Sequence, residues 1–481
     1  MPSALSRDAD GLPSGRRGLA LTVIVIGTIM AVLDSSIANV ALPTLARELR
    51  IDAAQSIWVV NAYQVAVTML LLPFASLGDV FGLRKIYTMG IAIFTVGSLG
   101  CALSTTLATL LVWRVVQGIG AAALMSIAPA LMRSIFPAAM LGTAVGVSAL
   151  TVATSSAAGP TLGGTILAIA PWPWLFAINV PLGLFDTVLA TRVLPRTPGT
   201  GERFDFPSAL LAGPALALFV VGLDGIGRHV AAPIVGAMIV ASVALGVTFV
   251  QRQRRLAAPM LPLDLFAIPR FSLAAMTSLC SFTAQGLAFV ALPFLFQGAY
   301  GYSAFVTGLL FTPWPLAIAV VAPLAGRISD RVAPAKLATV GLAMLAIGLF
   351  FLANLGTHPF IIDIVWRAII CGAGFGLFQA PNNREMLGSA PRNRSGSAGG
   401  ILATVRLTGQ SLGAAGVAIV LGTATVVVAA RPALASATNL SAAAHVALGM
   451  AAAVAALAAI VSGTRLALDE PRVVSSGTPI R

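Results

Sequence analysis

Charge is scarce in this chain: Asp, Glu, Lys and Arg make up 9% of its 481 residues, against roughly 25% in an ordinary soluble domain. Histidine and cysteine number three each. Cys101, Cys280 and Cys371 lie far apart in apolar runs, with no CxxC or His-rich spacing. Neither a disulfide framework nor a metal centre is expected from them, and they read as small buried apolar residues. The sequence also lacks a GxxxxGK[ST] loop and any nucleophile spaced with a base. Enzyme chemistry and ATP-driven work therefore have no residues to rest on, and no cofactor is expected.

What is abundant is apolar side chain, 58% of the chain, with a mean hydropathy of +0.95. The apolar residues come in blocks of about twenty, long enough to cross the ~30 Å hydrocarbon layer as helices. An all-α polytopic membrane protein follows, with the bilayer as its lipid partner. The blocks read as fourteen spans, at 18–42, 54–77, 86–105, 107–132, 139–169, 174–194, 205–226, 231–250, 271–297, 305–326, 335–355, 359–381, 396–428 and 441–463. With the N-terminus in the cytoplasm, only Arg47, Arg50, Arg228 and Arg431 of the 29 basic residues fall outside, and most of the rest fall in cytoplasmic segments. That bias supports an even span count and both termini in the cytoplasm. The net charge of +13 thus reflects positive-inside bias, and no nucleic-acid partner is expected. Residues 1–17 are polar, and no small-residue cleavage site follows the first apolar run, which reads as a retained helix.

The segment GDVFGLRK (78–85) follows the second span, and GRISDRVAPAK (326–336) follows the tenth. Aligning Asp79 on Asp330 suggests two related six-helix halves, 18–194 and 256–463. A linker with two extra helices (195–255) separates them, and a cytoplasmic tail (464–481) ends the chain. Paired halves are a common build for secondary transporters, with the binding site between them near mid-membrane.

Five segments carry a resemblance to the major facilitator superfamily, and within it to the fourteen-helix drug:proton antiporters. LDSSIANVALP (33–43), with Asp34, Asn39 and Pro43, resembles the first-helix motif of that branch. LGDVFGLRK (77–85), with Asp79, Gly82, Arg84 and Lys85, resembles the loop motif of the superfamily, which Asp330 and Arg331 repeat. RVVQGIGAA (114–122) resembles the fourth-helix motif, with Arg114, Gln117 and Gly118. GVSALTVATSSAAGPTLGG (146–164) resembles the antiporter motif through Gly146, Gly159, Pro160, Gly163 and Gly164. WPWLFAINVP (172–181) resembles the opening of the sixth helix, and RLTGQSLG (406–413) adds a piece in the second half. Ala75, Val80, Ser155 and Pro173 depart from the family pattern, and Val80 removes one partner from the cytoplasmic latch expected between halves. The resemblance implies a multidrug-efflux transporter of the bacterial cell membrane, driven by a proton gradient and acting as a monomer. It exports small lipophilic or cationic molecules; a proton-coupled or facilitative importer of the same fold is the alternative.

Asp34 lies about sixteen residues into the first span, ~24 Å from its cytoplasmic end, and Arg114 lies ~10 Å below the outer surface. Both therefore sit in the outer half, where ionisable side chains are functional candidates by default. A carboxylate beside an arginine releases its proton, and one from which the arginine withdraws holds it. Asp34 is the expected proton site, Arg114 its tuner, and Gln117, on the same helix face as Arg114, a hydrogen-bonding support. Arg406, with Gln410 one turn on, either lines the cavity or pairs with a carbonyl. Asn61, Gln64, Gln285 and Gln379 are candidate cavity groups, and Trp58, Tyr63 and Phe282 candidate aromatic surface. Asp363 and Arg367 are expected to pair along one helix. Asp186 and Asp224 are expected in hydrated interfaces, and His229, His358 and His445 in outer segments. Finally, the AAGPTLGG stretch (157–164) sets the poorest helix formers inside an apolar run: its glycines allow close helix approach and Pro160 permits a kink tolerated only inside protein. The resemblance makes this the contact where the halves meet when the outside is closed.

Overall fold

The computed structural model describes residues 11–137, 140–199, 204–227, 230–256, 261, 263–329, 331–389, 395–430 and 437–468. Asp330 and His229 lie outside the described residues, as does the side chain of Asp224. Fourteen long helices coincide with the expected spans: α1 (Ser14–Glu48), α2 (Ala53–Phe81), α3 (Leu83–Ala102), α4 (Leu107–Ile135), α5 (Leu141–Ile169), α6 (Trp174–Val193), α7 (Phe206–Gly227), α8 (Ala232–Gln253), α9 (Pro269–Ala299), α10 (Ala304–Ile328), α11 (Pro334–Ala353), α12 (Ile361–Ser389), α13 (Ser395–Ala430) and α14 (Ala437–Thr464). Among the described residues, thirteen helices are long and apolar enough to cross a membrane, and α5 completes the set with 29 residues. In hydrocarbon the backbone must satisfy its own hydrogen bonds, which is why apolar blocks of this length become helices.

The packing repeats. In the first set α1 packs on α5 and α6, α3 on α4 and α6, and α2 on α4; in the second, α9 packs on α13 and α14, α11 on α12 and α14, and α10 on α12. Each pairing recurs eight helices later. The two sets meet where α5 packs on α10 and α13 on α2, and those two contacts are themselves related by the same shift. Helix α7 packs on α2 and α13, and α8 packs on α7. The ends of this extra pair are pinned by Arg252, which donates to Asp205 at 2.8 Å.

Small residues make the repeat possible, because helices in lipid associate through close packing rather than through exclusion of water. A Cβ at Gly90 would lie 2.7 Å from the Ala123 Cβ, one at Gly97 2.6 Å from the Gln117 backbone nitrogen, and one at Gly120 2.7 Å from the Gly90 carbonyl oxygen. The counterparts in the second set are Gly341 and Gly374, each of which would bring a Cβ to 2.6 Å from the other's carbonyl oxygen, and Gly348, against Cys371.

The described contacts of the loop motif run within its own set. Gly82 has φ +95°, a conformation that favours glycine. The Arg84 guanidinium donates to the Thr191 carbonyl and its backbone N–H to the Thr197 hydroxyl. Lys85 lies over the Phe81 ring at 5.8 Å. Arg84 and Gly82 are thus tied to the end of α6 and the segment after it, within the same set. Asp79 has an interaction of its own, and Arg331 is exposed. Arg465, expected in the tail, is buried: it pairs with Glu385 at 2.9 Å and donates to Asn382 and Ser462.

Gly120→Val is expected to destabilise the α3–α4 contact by ~1–3 kcal/mol, the usual cost of overpacking. Gly246→Val, with nothing within 4 Å, is expected to leave thermal unfolding in mild detergent unchanged.

Candidate functional site

Asp34 stands near the middle of α1 and is 2% exposed. Its Oδ2 accepts from Arg114 Nη1 at 2.5 Å, and its Oδ1 accepts from Gln117 Nε2 at 2.8 Å and from Asn179 Nδ2 at 3.1 Å. Arg114 Nη1 is shared with Gln117 Oε1 at 2.6 Å, while Arg114 Nε donates to the Val59 carbonyl at 2.8 Å. The guanidinium also lies 4.3 Å from the centre of the Tyr63 ring and 5.5 Å from that of Phe176. Gln117 Nε2 reaches Ser98 on α3 at 2.8 Å as well.

Five helices therefore meet on one carboxylate: α1 supplies the acid, α4 and α6 the donors, α3 a hydroxyl and α2 a carbonyl and a ring. The local sequence explains the arrangement. Arg114 and Gln117 are three apart and share a face of α4. Gly97 lets α3 lie against the Gln117 backbone, and a Cβ at Gly118 would lie 2.8 Å from the Tyr63 carbonyl oxygen, so α2 also comes close. Arg114 and Gln117 are both 0% exposed. So sealed a pair is reached by water only if α1 moves against α4, and Arg114 Nη2 has no hydrogen-bond partner.

The glycines of AAGPTLGG serve two faces rather than one. Gly159 packs on Ser36 and Gly163 on Ile37, both on α1, whereas Gly164 brings α5 within 2.5 Å (as Cβ to oxygen) of the Ala304 carbonyl on α10. The Pro160 carbonyl abuts Gly308, and the Thr161 and Thr312 hydroxyls are 2.5 Å apart. Ser36 donates to the Ser156 carbonyl at 3.2 Å. Helix α5 is thus wedged between the acid-bearing helix and the other set. Gly409 and Gly413 repeat the pair, packing α13 on α9. Gly146 lies on α5, further from this contact.

The remaining expected residues scatter. Asn39 donates only to the Ser35 carbonyl of its own helix, at 3.3 Å. Gln64 accepts from Ser411 at 3.5 Å and Gln285 from Gln410 at 3.4 Å, so both lie near α13. Asn61 is fully buried with both amide atoms unpartnered; Gln379 is partly buried. Arg406 is partly buried and apart from the Asp34 cluster. The Asp363–Arg367 pair does not form: Arg367 donates to the Phe351 carbonyl at 2.8 Å, a turn end on α11, and Asp363 accepts from the Trp366 ring. Asp186 is fully buried with neither oxygen hydrogen-bonded, not in a hydrated interface. Tertiary packing of α6 on α1 and α3 closes it off. His445 contacts the Ala353 carbonyl, and His358 is exposed.

Asn179 and Ser98 are the site residues missed in sequence. Asn179 lies inside the WPWLFAINVP segment and was readable there; Ser98 carries no signal beyond being polar in a span.

Arg114→Met leaves the buried Asp34 carboxylate without its counter-ion, and a loss of ~3–5 kcal/mol in unfolding free energy is expected. Adding Asp34→Asn to that variant is expected to recover much of the loss, a coupling that a double-mutant cycle in mild detergent measures.

Three relatives frame this geometry. The chain is 51% identical over 415 residues to the uncharacterized transporter YebQ of Escherichia coli (strain K12), covering 86% of this chain and 91% of that protein. It is 32% identical over 405 residues to the riboflavin transporter RibZ of Clostridioides difficile (strain 630), covering 83% and 87%. It is 32% identical over 403 residues to the multidrug resistance protein Stp of Mycobacterium tuberculosis (strain CDC 1551 / Oshkosh), covering 82% and 74%. A solved bacterial homologue of the human lysosomal transporter Spinster shares the fold at a TM-score of 0.69, with 15% identity over 95% of this chain and 98% of that one. Residues 24–414 match the Major Facilitator Superfamily, and the chain belongs to it: a multi-pass membrane transporter with the major facilitator fold, not an enzyme.

Proposed function

We propose that the protein exports small lipophilic molecules in exchange for protons, by alternating access between its two helix sets. The observation that carries the reading is the unbroken contact from acid to interface: Asp34 on α1, then Ser36 and Ile37 against Gly159 and Gly163 of α5, then Pro160 and Gly164 against α10. Protonation of Asp34 removes the charge that holds Arg114, so α1 and α4 can separate. Any shift of α1 is felt by α5 two residues further along and passed to the other set. Return of Arg114 to the acid expels the proton. The carboxylate thus acts as the gate's latch, and the gradient supplies the direction.

Positive-inside bias supports the Ser14 end of α1 in the cytoplasm, and in that orientation the α5–α10 contact is the outer closure. The multidrug resistance relative supports export. The second reading, import of a metabolite, is favoured by the riboflavin transporter among the relatives; transport direction separates the two.

Purified protein in liposomes under an inward proton gradient, with a lumenal pH dye, is expected to show proton movement on addition of lipophilic compounds. Asp34→Asn is expected to abolish it and Asp186→Asn to leave it. Movement that survives Asp34→Asn but not Asp186→Asn transfers the proton to Asp186, and accumulation with the gradient establishes import. Gly308→Val places a side chain against the Pro160 carbonyl, so the outer closure cannot form. A fall in transport of at least about tenfold, ~1.4 kcal/mol, is expected, with the yield of folded protein unchanged.

A further inference from the structure

Arg406 lies well inside α13, and it makes no hydrogen bond, ion pair or ring contact with any described residue. Arg114, the other arginine deep within a span, is saturated on two of its three nitrogens. The contrast matters because a guanidinium cannot shed its proton to escape an apolar setting, as a carboxyl can by taking one up. An uncompensated one in hydrocarbon costs at least a few kcal/mol.

Its neighbours along α13 fix the direction in which it projects. Gly409 and Gly413 face α9, since a Cβ at Gly409 would lie 2.8 Å from the Leu279 carbonyl oxygen and one at Gly413 2.5 Å from the Leu287 nitrogen. Leu407 packs into the core of the first helix set, and Ser411 donates to Gln64 of α2. At 100° per residue, Arg406 points between these two directions, into the seam where the sets face each other. Gln410, one turn on, projects on the same side and reaches Gln285 of α9 within its own set. The seam therefore holds a fixed positive charge, and the described residues supply no anion against it.

We propose that Arg406 is the anion-recognising group of the central site, and that the molecules transported carry a carboxylate, sulfonate or phosphate on an apolar body. The guanidinium fork matches such groups with two parallel hydrogen bonds. The sign is opposite to the cationic preference that a charge-poor interior suggests. The inference rests on the alternating-access reading for the word transported, but the binding step stands without it.

The test is calorimetry on the full chain in lipid nanodiscs, with no proton gradient, using naphthoate, naphthalenesulfonate, naphthyl phosphate, naphthylmethylammonium and naphthylmethanol. The ring is constant and only the sign of the head group varies. At least one anion is expected to bind at least about tenfold more tightly than the alcohol and the ammonium compound. Arg406→Gln is expected to erase that margin without changing the Kd of naphthylmethanol, which reports an intact apolar site. Arg406→Lys is expected to keep part of it, since an ammonium lacks the fork. A preference for the ammonium compound, a margin that survives Arg406→Gln, an equal loss for all five compounds, or no anion binding at about millimolar concentration would each overturn the proposal. Because no gradient is applied, failure of the proton-exchange reading leaves this result standing, and the reverse also holds.

Discussion

A carboxylate inside hydrocarbon must be compensated where it stands, and the first six spans are arranged around that requirement. Asp34 takes one donor from Arg114, one from Gln117 and one from Asn179. Those donors come from two helices, α4 and α6, so both must lie against α1. Gln117 must also reach Ser98, which holds α3 in place, and Arg114 must reach the Val59 carbonyl, which holds α2. Glycines at 97 and 118 are what let the backbones come near enough. Packing and electrostatics are here a single constraint: without the close approach the carboxylate lacks donors, and without the donors the burial is prohibitive.

The second set repeats the architecture without repeating this chemistry. Gly341, Gly348 and Gly374 stand in for Gly90, Gly97 and Gly120, and Gly409 and Gly413 for Gly159 and Gly163. No carboxylate occupies the position on α9 that corresponds to Asp34. Instead the buried ion pair of this set, Arg465 with Glu385, sits at the ends of α14 and α12, where it fastens helix termini. The fold is thus symmetric while its charges are not. A paired acid in one set and an unpaired arginine in the other are what the proposed proton exchange and the proposed anion recognition each require.

Helix α5 connects the two. Its successive faces carry Gly159 and Gly163 towards α1 and Pro160 and Gly164 towards α10, so four small residues within six positions serve two interfaces. A break in helix propensity inside an apolar run is tolerable because both faces are buried in protein. The extra pair α7 and α8 takes no part in this path, lying against α2 and α13 and pinned at its ends by Asp205 and Arg252.

Much of this was legible in the one-dimensional pattern. Apolar block length against bilayer thickness gives fourteen spans, and the Asp34, Arg114 and Gln117 spacing marks a charged cluster because polar residues in such blocks stand out. Pairwise geometry was not legible. Asn179 and Ser98 join the cluster, Asp363 and Arg367 ignore each other despite their helical spacing, Asp186 is sealed rather than hydrated, and Arg406 is left without a partner. Each of these depends on which helix faces lie together, and a face becomes a contact only when another helix arrives. Periodicity and hydropathy are properties of one helix in a solvent, so the sequence by itself determined the spans, their count and the identity of the charges among them. Whether a given charge is paired, buried or free was decided by helices distant in the chain, since in hydrocarbon only another helix can supply the missing donor or acceptor.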